Sequence, residues 1–280
     1  MVTKKCIIVF GPTASGKTAE AIRIAKELGT EIISADSRQC YKEMNIGVAR
    51  PSPEELSAVN HHFIANHSIT EKITAAAFEK EALGYLDEIF IYHDTAVICG
   101  GTGLYIKALA EGLDAIPEVP DELRDTVIEI NNKNGIDALR EKLLSLDPDF
   151  ADKSDINNPN RMMRALEVVM HTGRPIHQFQ TGEKIKRAFE IEYVMIDPPR
   201  EILYERINKR VDQMIRSGLE DEVSALIEHK HLTALQTVGY KEMFDLIDGL
   251  ITRAEAIEKI KQHTRNYAKR QITWFRKFTV

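Results

Sequence analysis

The chain has 280 residues, 43% of them hydrophobic, which is enough for one large domain or two modest ones around a sizeable core. Its formal net charge of −6, taken as an average, argues against a nucleic-acid partner, because Lys and Arg supply most non-specific affinity for phosphates. Cys6, Cys40 and Cys99 are odd in number and lack CxxC spacing, against a disulfide framework or zinc site; without a long apolar run or a basic leader, a soluble cytoplasmic protein with no membrane partner is expected.

In chain order, residues 6–10 form a short apolar run that reads as a buried strand. Gly11-Pro12-Thr13-Ala14-Ser15-Gly16-Lys17-Thr18 follows directly and satisfies G-x-x-x-x-G-K-[ST]; residues 19–28 then read as a helix stopped by Gly29. Strand, loop and helix N-terminus are the context a phosphate loop requires. Its amides wrap the anion, the helix dipole favours negative charge, Lys17 adds a cation and Thr18 offers a hydroxyl to Mg²⁺. A diphosphate or triphosphate is therefore the expected ligand.

Residues 31–35 read as a second strand, with Asp36 just past its carboxyl end. A helical pattern over 74–89 can cross back over a sheet, and residues 95–99 give a third strand running into Gly100-Gly101-Thr102-Gly103. That strand lacks a terminal Asp, which counts against an ATPase-type Mg²⁺ site. Alternating strands and helices predict an α/β, P-loop NTPase-like, doubly wound parallel sheet with ligands at the strands' carboxyl ends.

After Gly112 the texture changes. Pro117 and Pro120 precede helical patterns over 121–146 and 160–171, and a strand returns only at 189–197, closed by Pro198-Pro199. The expected organisation is a core of residues 1–114 and 184–280 with a helical insertion domain at 115–183. A charged helix over 200–217 stops at Gly218, and the rest reads as helical. From 259 to 280 there is no acidic residue among the cations Lys259, Lys261, Arg265, Lys269, Arg270, Arg276 and Lys277. Tyr267, Trp274 and Phe275 interleave with them, a mixture suited either to clasping RNA or to anchoring a terminal helix.

Two constellations remain open on residue type alone. Asp36 is placed to act as a general base or to cap a turn. Arg206 and Arg210, four apart on one helix, share a face that could reach a diphosphate or pair with Glu201, Glu205 or Glu220.

Five further segments narrow the reading. The stretch from Asp36 through Ser37, Arg38 and Gln39 to Pro51 resembles the aspartate-led signature of tRNA dimethylallyltransferases. The likeness continues through Gly100-Gly101-Thr102-Gly103-Leu104-Tyr105, Asn160-Arg161-Met162-Met163-Arg164, Thr237-Val238-Gly239-Tyr240-Lys241-Glu242 and Lys269-Arg270-Gln271-Ile272-Thr273-Trp274-Phe275-Arg276. It covers nearly the whole chain in the right order.

The resemblance implies transfer of a dimethylallyl group from dimethylallyl diphosphate to N6 of the adenine on the 3′ side of a tRNA anticodon. The phosphate loop, Gly11 to Thr18, would then hold the leaving pyrophosphate with Arg206 and Arg210, and Mg²⁺ would sit on Thr18. Lys17, Thr18, Arg210 and Asp36, as base, would carry the chemistry. The tRNA anticodon stem-loop would meet Asp36, Ser37, Arg38, Gln39, Thr102, Arg124, Asn160, Arg161, Met162, Met163 and Arg164. Gln236, Thr237, Val238, Gly239, Tyr240, Lys241, Lys269, Arg270, Gln271, Trp274 and Arg276 would complete its footprint. Bland alternatives are pairing of Arg161 and Arg164 with Glu167, and Thr102 as a helix cap. Residues 155–161 depart from the family pattern by lacking a His-Pro-Asn-Asp run. A compact, monomeric bacterial form is expected. The competing readings are a nucleotide or metabolite kinase, an adenylate isopentenyltransferase, and a nucleotide-gated RNA-binding switch in which Asp36 has no chemical task.

Overall fold

The computed structural model describes residues 3–278. The chain separates into two compact units, one made of the residues up to Gly112 and from Lys186 onward, the other of Leu113–Ile185.

The larger unit begins with β1 (Lys5–Phe10), α1 (Lys17–Leu28), β2 (Ile32–Ser34), α2 (Pro53–Ala58), β3 (His61–His62), α3 (Ala75–Tyr92), β4 (Thr95–Gly100) and α4 (Gly103–Glu111). The strands form one sheet, ordered β3-β2-β4-β1 and then β5 (Glu190–Met195), with every pairing parallel. This is the P-loop-like α/β sheet that the sequence predicts. β1 shows why it must be covered on both faces. Cys6, Ile8 and Phe10 enter a core shared with α3 and α4, while Ile7 and Val9 pack against Ala21, Ile22 and Ala25 of α1. A strand buried on both sides reads as a continuous apolar run, the pattern seen at residues 6–10. β3 is an edge strand of two residues, too short to leave a periodic signal; His62 there contacts Glu31 at 2.6 Å.

In the smaller unit, α5 (Asp121–Leu146), α6 (Phe150–Lys153) and α7 (Pro159–Thr172) bury Val127, Leu139, Leu143, Met162 and Leu166. The helix expected over 121–146 is interrupted at Gly135, whose φ of 78° lies in the left-handed region that glycine occupies without a Cβ clash. Asn158 caps α7 by accepting from the Arg161 amide at 3.2 Å.

After β5 the larger unit resumes with α8 (Arg200–Arg216), α9 (Leu219–Ser224), α10 (Tyr240–Ile247) and α11 (Arg253–Phe278). α11 brings Phe275 onto Phe10 at 4.9 Å between ring centroids. The acid-poor C-terminal stretch is thereby fixed to the end of β1 from which the phosphate loop springs. Among the described residues no helix is long and apolar enough to cross a membrane.

Candidate active site

The loop between β1 and α1 closes as its sequence requires. Gly16 precedes the first turn of α1 with φ 99°, in the left-handed region, and Ala14 also has positive φ at 63°. Ser15 N–H donates to Pro12 O at 3.2 Å and Lys17 Nζ to the same carbonyl at 3.3 Å. The amides of Lys17 and Thr18 lie in the first helical turn, where no intrahelical acceptor exists.

Two arginines of α8 brace this loop differently. Arg206 Nη1 donates to Ser15 O at 2.9 Å on the loop's flank, and Arg210 Nη1 donates to Thr13 Oγ1 at 3.3 Å from within the cavity. Burial pushes the Lys17 ammonium below its usual range, with Arg210 adding to the shift and Cys99 and Asp36 opposing it. Arg210 is lowered by burial too, against the pull of Glu55 and Asp36. Two desolvated cations in one pocket, only partly offset by Asp36 and Glu55, would gain from an anionic ligand that adds countercharge.

Asp36 follows β2 at the sheet's carboxyl edge. Its Oδ1 accepts from the Arg38 amide at 2.9 Å and the Gln39 amide at 3.3 Å, so this oxygen caps a turn. Oδ2 has no hydrogen-bond partner among the described residues, and Asp36 lines the cavity with Lys17 and Arg210. The turn-cap reading is therefore present on one oxygen, and the other is left open to the cavity. Thr102 does not cap α4 through its side chain; its Oγ1 accepts from the Ser37 amide at 3.0 Å, tying the β4 turn to the Asp36 turn. Gln39 Nε2 donates to Val48 O at 3.3 Å and Ala49 O at 3.0 Å.

The cavity has a volume of about 1100 Å³. Thr18, Ser37, Arg38 and Gln39 line it, joined from the C-terminal half by Gln236 to Gly239, Lys241, Arg270 and Gln271. Lys269 and Arg276 are exposed on α11, and Trp274 is half-buried, stacked on Phe278 at 5.1 Å.

Three of the expected RNA contacts are corrected by burial. Met162 is fully inside the helical unit's core, because the apolar face of α7 turns it there. Tyr240 is fully buried with its O–H donated to Glu222 at 2.5 Å. Gln271 is 7% exposed and has both ends of its amide engaged by backbone. Within the helical unit Arg164 donates to Glu167 at 3.2 Å and to Pro117 O at 3.2 Å, and Arg124 contacts Asp121 at 3.2 Å and Glu167 at 3.6 Å. The pairing of Arg164 with Glu167 is thus present, whereas Arg161 and Asn160 are exposed and Arg161's guanidinium has no partner among the described residues. Met163 packs partly buried against the same core.

Sequence reasoning missed Glu55 and Glu222 as parts of this site. Glu55 and Tyr267 line the cavity. Glu222 accepts from three successive amides, Asn45, Ile46 and Gly47, besides Tyr240. It belongs to an acidic run that carries no sequence signal of that task. Tyr267 was legible only as an aromatic among cations.

Comparison with known proteins decides the family. Residues 39–278 match the family described as IPP transferase. A tRNA dimethylallyltransferase of Cytophaga hutchinsonii is 45% identical over 276 residues, covering 99% of this chain and 91% of the relative. The chain belongs to the IPP transferase family. Another tRNA dimethylallyltransferase, from Christiangramia forsetii, is 48% identical over 97% of this chain and 90% of its own length. Among solved IPP transferase structures, the full-length tRNA isopentenylpyrophosphate transferase of Bacillus halodurans superposes with a TM-score of 0.68 at 37% identity, covering 98% of this chain and 87% of that one. A eukaryotic dimethylallyltransferase acting on tRNA gives 0.77 at 26% identity, covering 97% and 70%. Within the family frame, the loop after β1 and Asp36 after β2 open on one cavity, the arrangement a two-substrate transfer needs.

Proposed function

We propose that this chain transfers a dimethylallyl group from dimethylallyl diphosphate to N6 of the adenine on the 3′ side of a tRNA anticodon, releasing pyrophosphate. The observation that carries the proposal is a free carboxylate oxygen on Asp36, in the same cavity as the desolvated cations Lys17 and Arg210. The cations favour the leaving group and the carboxylate favours the acceptor. As the allylic C–O bond breaks, negative charge grows on the pyrophosphate oxygens, where Lys17, Arg210 and the loop amides stabilise it more strongly than in the ground state. The adenine amine is a weak nucleophile because its lone pair is delocalised into the purine. Asp36 Oδ2 takes the N6 proton as the C–N bond forms, while Oδ1 keeps the carboxylate fixed on the Arg38 and Gln39 amides.

The residues present suit Mg²⁺ in a limited way. The ion would be held by the Thr18 hydroxyl, which lines the cavity, with substrate oxygens and water completing its shell. When bound, it would neutralise part of the diphosphate charge. The acceptor must leave its stack to reach the cavity, with Arg38, Lys241 and Arg270 on the walls and Arg161 exposed on the helical unit to meet phosphates. We further propose a monomer, checked by the sedimentation of the free protein.

The test is transfer of labelled dimethylallyl from its diphosphate to unmodified tRNA with Mg²⁺ present, beside AMP as acceptor and an ATP phosphotransfer assay. Label on tRNA alone, at the adenine adjoining the anticodon, is expected. Label on AMP, or phosphate moved from ATP, would replace the proposed reaction with a competing one.

A further inference from the structure

Gln271 directly follows the exposed cations Lys269 and Arg270 on α11, a position that suggests an RNA contact, yet its side chain turns inward. Its Oε1 accepts from the Thr13 amide at 2.9 Å, and its Nε2 donates to Gly101 O at 2.8 Å. One amide therefore bridges the phosphate loop and the turn after β4. The fit is close on both sides. A Cβ built on Gly101 would stand 2.5 Å from Gln271 Nε2, and the Thr13 hydroxyl is held separately by Arg210 at 3.3 Å. The Thr13 N–H is thereby aimed at α11 and not into the anion cradle.

The bridge extends further. Gly101 is followed by Thr102, whose hydroxyl accepts from the Ser37 amide beside Asp36. A continuous path of hydrogen bonds and single peptide steps thus runs from Thr13 of the phosphate loop, through Gln271 and the Gly101–Thr102 turn, to the residue after Asp36. Each link is buried or half-buried, where a lost partner is costly and a fixed one is rigid.

We propose that Gln271 is a positioning residue for the transfer, not an RNA contact: its amide sets the spacing between the loop that holds the diphosphate and the turn that carries Asp36. The inference rests on the functional reading above for the reaction, but its first consequence, the shape of the anion cradle, does not. Group transfer is sensitive to such spacing, since a displacement of about 1 Å can cost on the order of a hundredfold in rate.

The test uses Gln271→Met, which keeps the length and loses both hydrogen bonds, and Gly101→Ala, which drives a Cβ into the same bridge from the other side. Pyrophosphate binding is measured by calorimetry, the binding of unmodified tRNA by filter retention, and single-turnover transfer by label. Both variants are expected to weaken pyrophosphate at least fivefold, to leave tRNA affinity and its salt slope within twofold of the parent, and to lower the single-turnover rate at saturating substrates at least tenfold. A variant that does not fold, as judged by its thermal transition, leaves the other to decide. Weakened tRNA binding with unchanged pyrophosphate binding would make Gln271 an RNA residue and overturn the inference, as would unchanged pyrophosphate binding in a folded variant. If the parent labels no tRNA at all, the proposed reaction fails, while pyrophosphate binding still judges the bridge.

Discussion

Glu222→Gln is nearly isosteric and tests whether one carboxylate fastens the wall formed by residues 45–50. Glu222 Oε2 accepts from Asn45 N–H at 3.2 Å and Ile46 N–H at 2.7 Å; Oε1 accepts from Gly47 N–H at 3.0 Å and Tyr240 O–H at 2.5 Å. A glutamine oxygen in the Oε2 position keeps the first pair and turns an NH₂ toward the Gly47 amide, donor against donor, while the Tyr240 phenol rotates to accept. One charge-assisted bond is lost and the others become neutral. At roughly 1.5–3 kcal/mol for a bond to a charged group, and with Glu222 only half-buried, the expected cost is about 2 kcal/mol. The strain has little room to dissipate, because the Tyr240 ring lies within 2.5 Å of where a Gly47 Cβ would be. Urea unfolding gives the cost, and hydrogen exchange localises it: protection should fall at the amides of residues 45–47 and not at β1. Tyr240→Phe should cost about 1 kcal/mol, and the double variant should cost less than the sum. A change under about 0.5 kcal/mol with exchange at 45–47 untouched would refute the assignment.

Three other perturbations read separate parts of the molecule. Burial holds the Lys17 pKa below its ordinary 10.5, so Lys17 is charged, and its desolvation cost fully present, below that lowered value, and the cost lifts as pH rises through it. A bound diphosphate favours the charged form; affinity for dimethylallyl diphosphate should therefore fall as pH rises through that lowered value, approaching one decade per pH unit, and Lys17→Met should bind weakly with that decline removed. Gly103→Ala places a Cβ against the Trp274 ring, and overpacking should lower stability by about 1–3 kcal/mol with a change in Trp fluorescence, since Trp274 is the chain's one tryptophan. Arg161→Ala should weaken tRNA binding and reduce the slope of log K against log salt by about one, with pyrophosphate binding unchanged.

How much of this was legible in the sequence depends on whether a feature is local. The phosphate loop is a contiguous pattern whose geometry follows from its own glycines and flanking elements, and the buried β1 run and the αL stop of α1 at Gly29 are equally local. The Asp36 site was half-legible: its position past β2 follows from the strand, but which of its oxygens is engaged depends on the amides of Arg38 and Gln39. Gln271, Tyr240 and Met162 were misplaced because a helical stretch does not state which of its faces will be covered. α11 offers the cavity Tyr267, Arg270 and Gln271, and gives Ala268 and Phe275 to the core. Glu222 was invisible because the amides it fastens are some 175 residues away in the chain.

The net charge of −6 misleads for a related reason. Charge acts through space over about 8 Å at physiological ionic strength, so a chain's sum says little about the field at one surface. Many of this chain's carboxylates are occupied close to their own cations, as with Glu20 and Glu27 on Arg23, Glu205 on Lys209 and Asp248 on Lys230. Lys269, by contrast, stands exposed with no acidic residue in the sequence from 259 onward, and Arg270 lies over the ring of Tyr267. A polyanion approaching the face around Lys269 and Arg270 therefore meets exposed cations on a protein whose average is negative, whereas Lys261 and Arg276 are already paired with Asp212 and Asp197. Such an arrangement predicts a salt-sensitive association confined to that face.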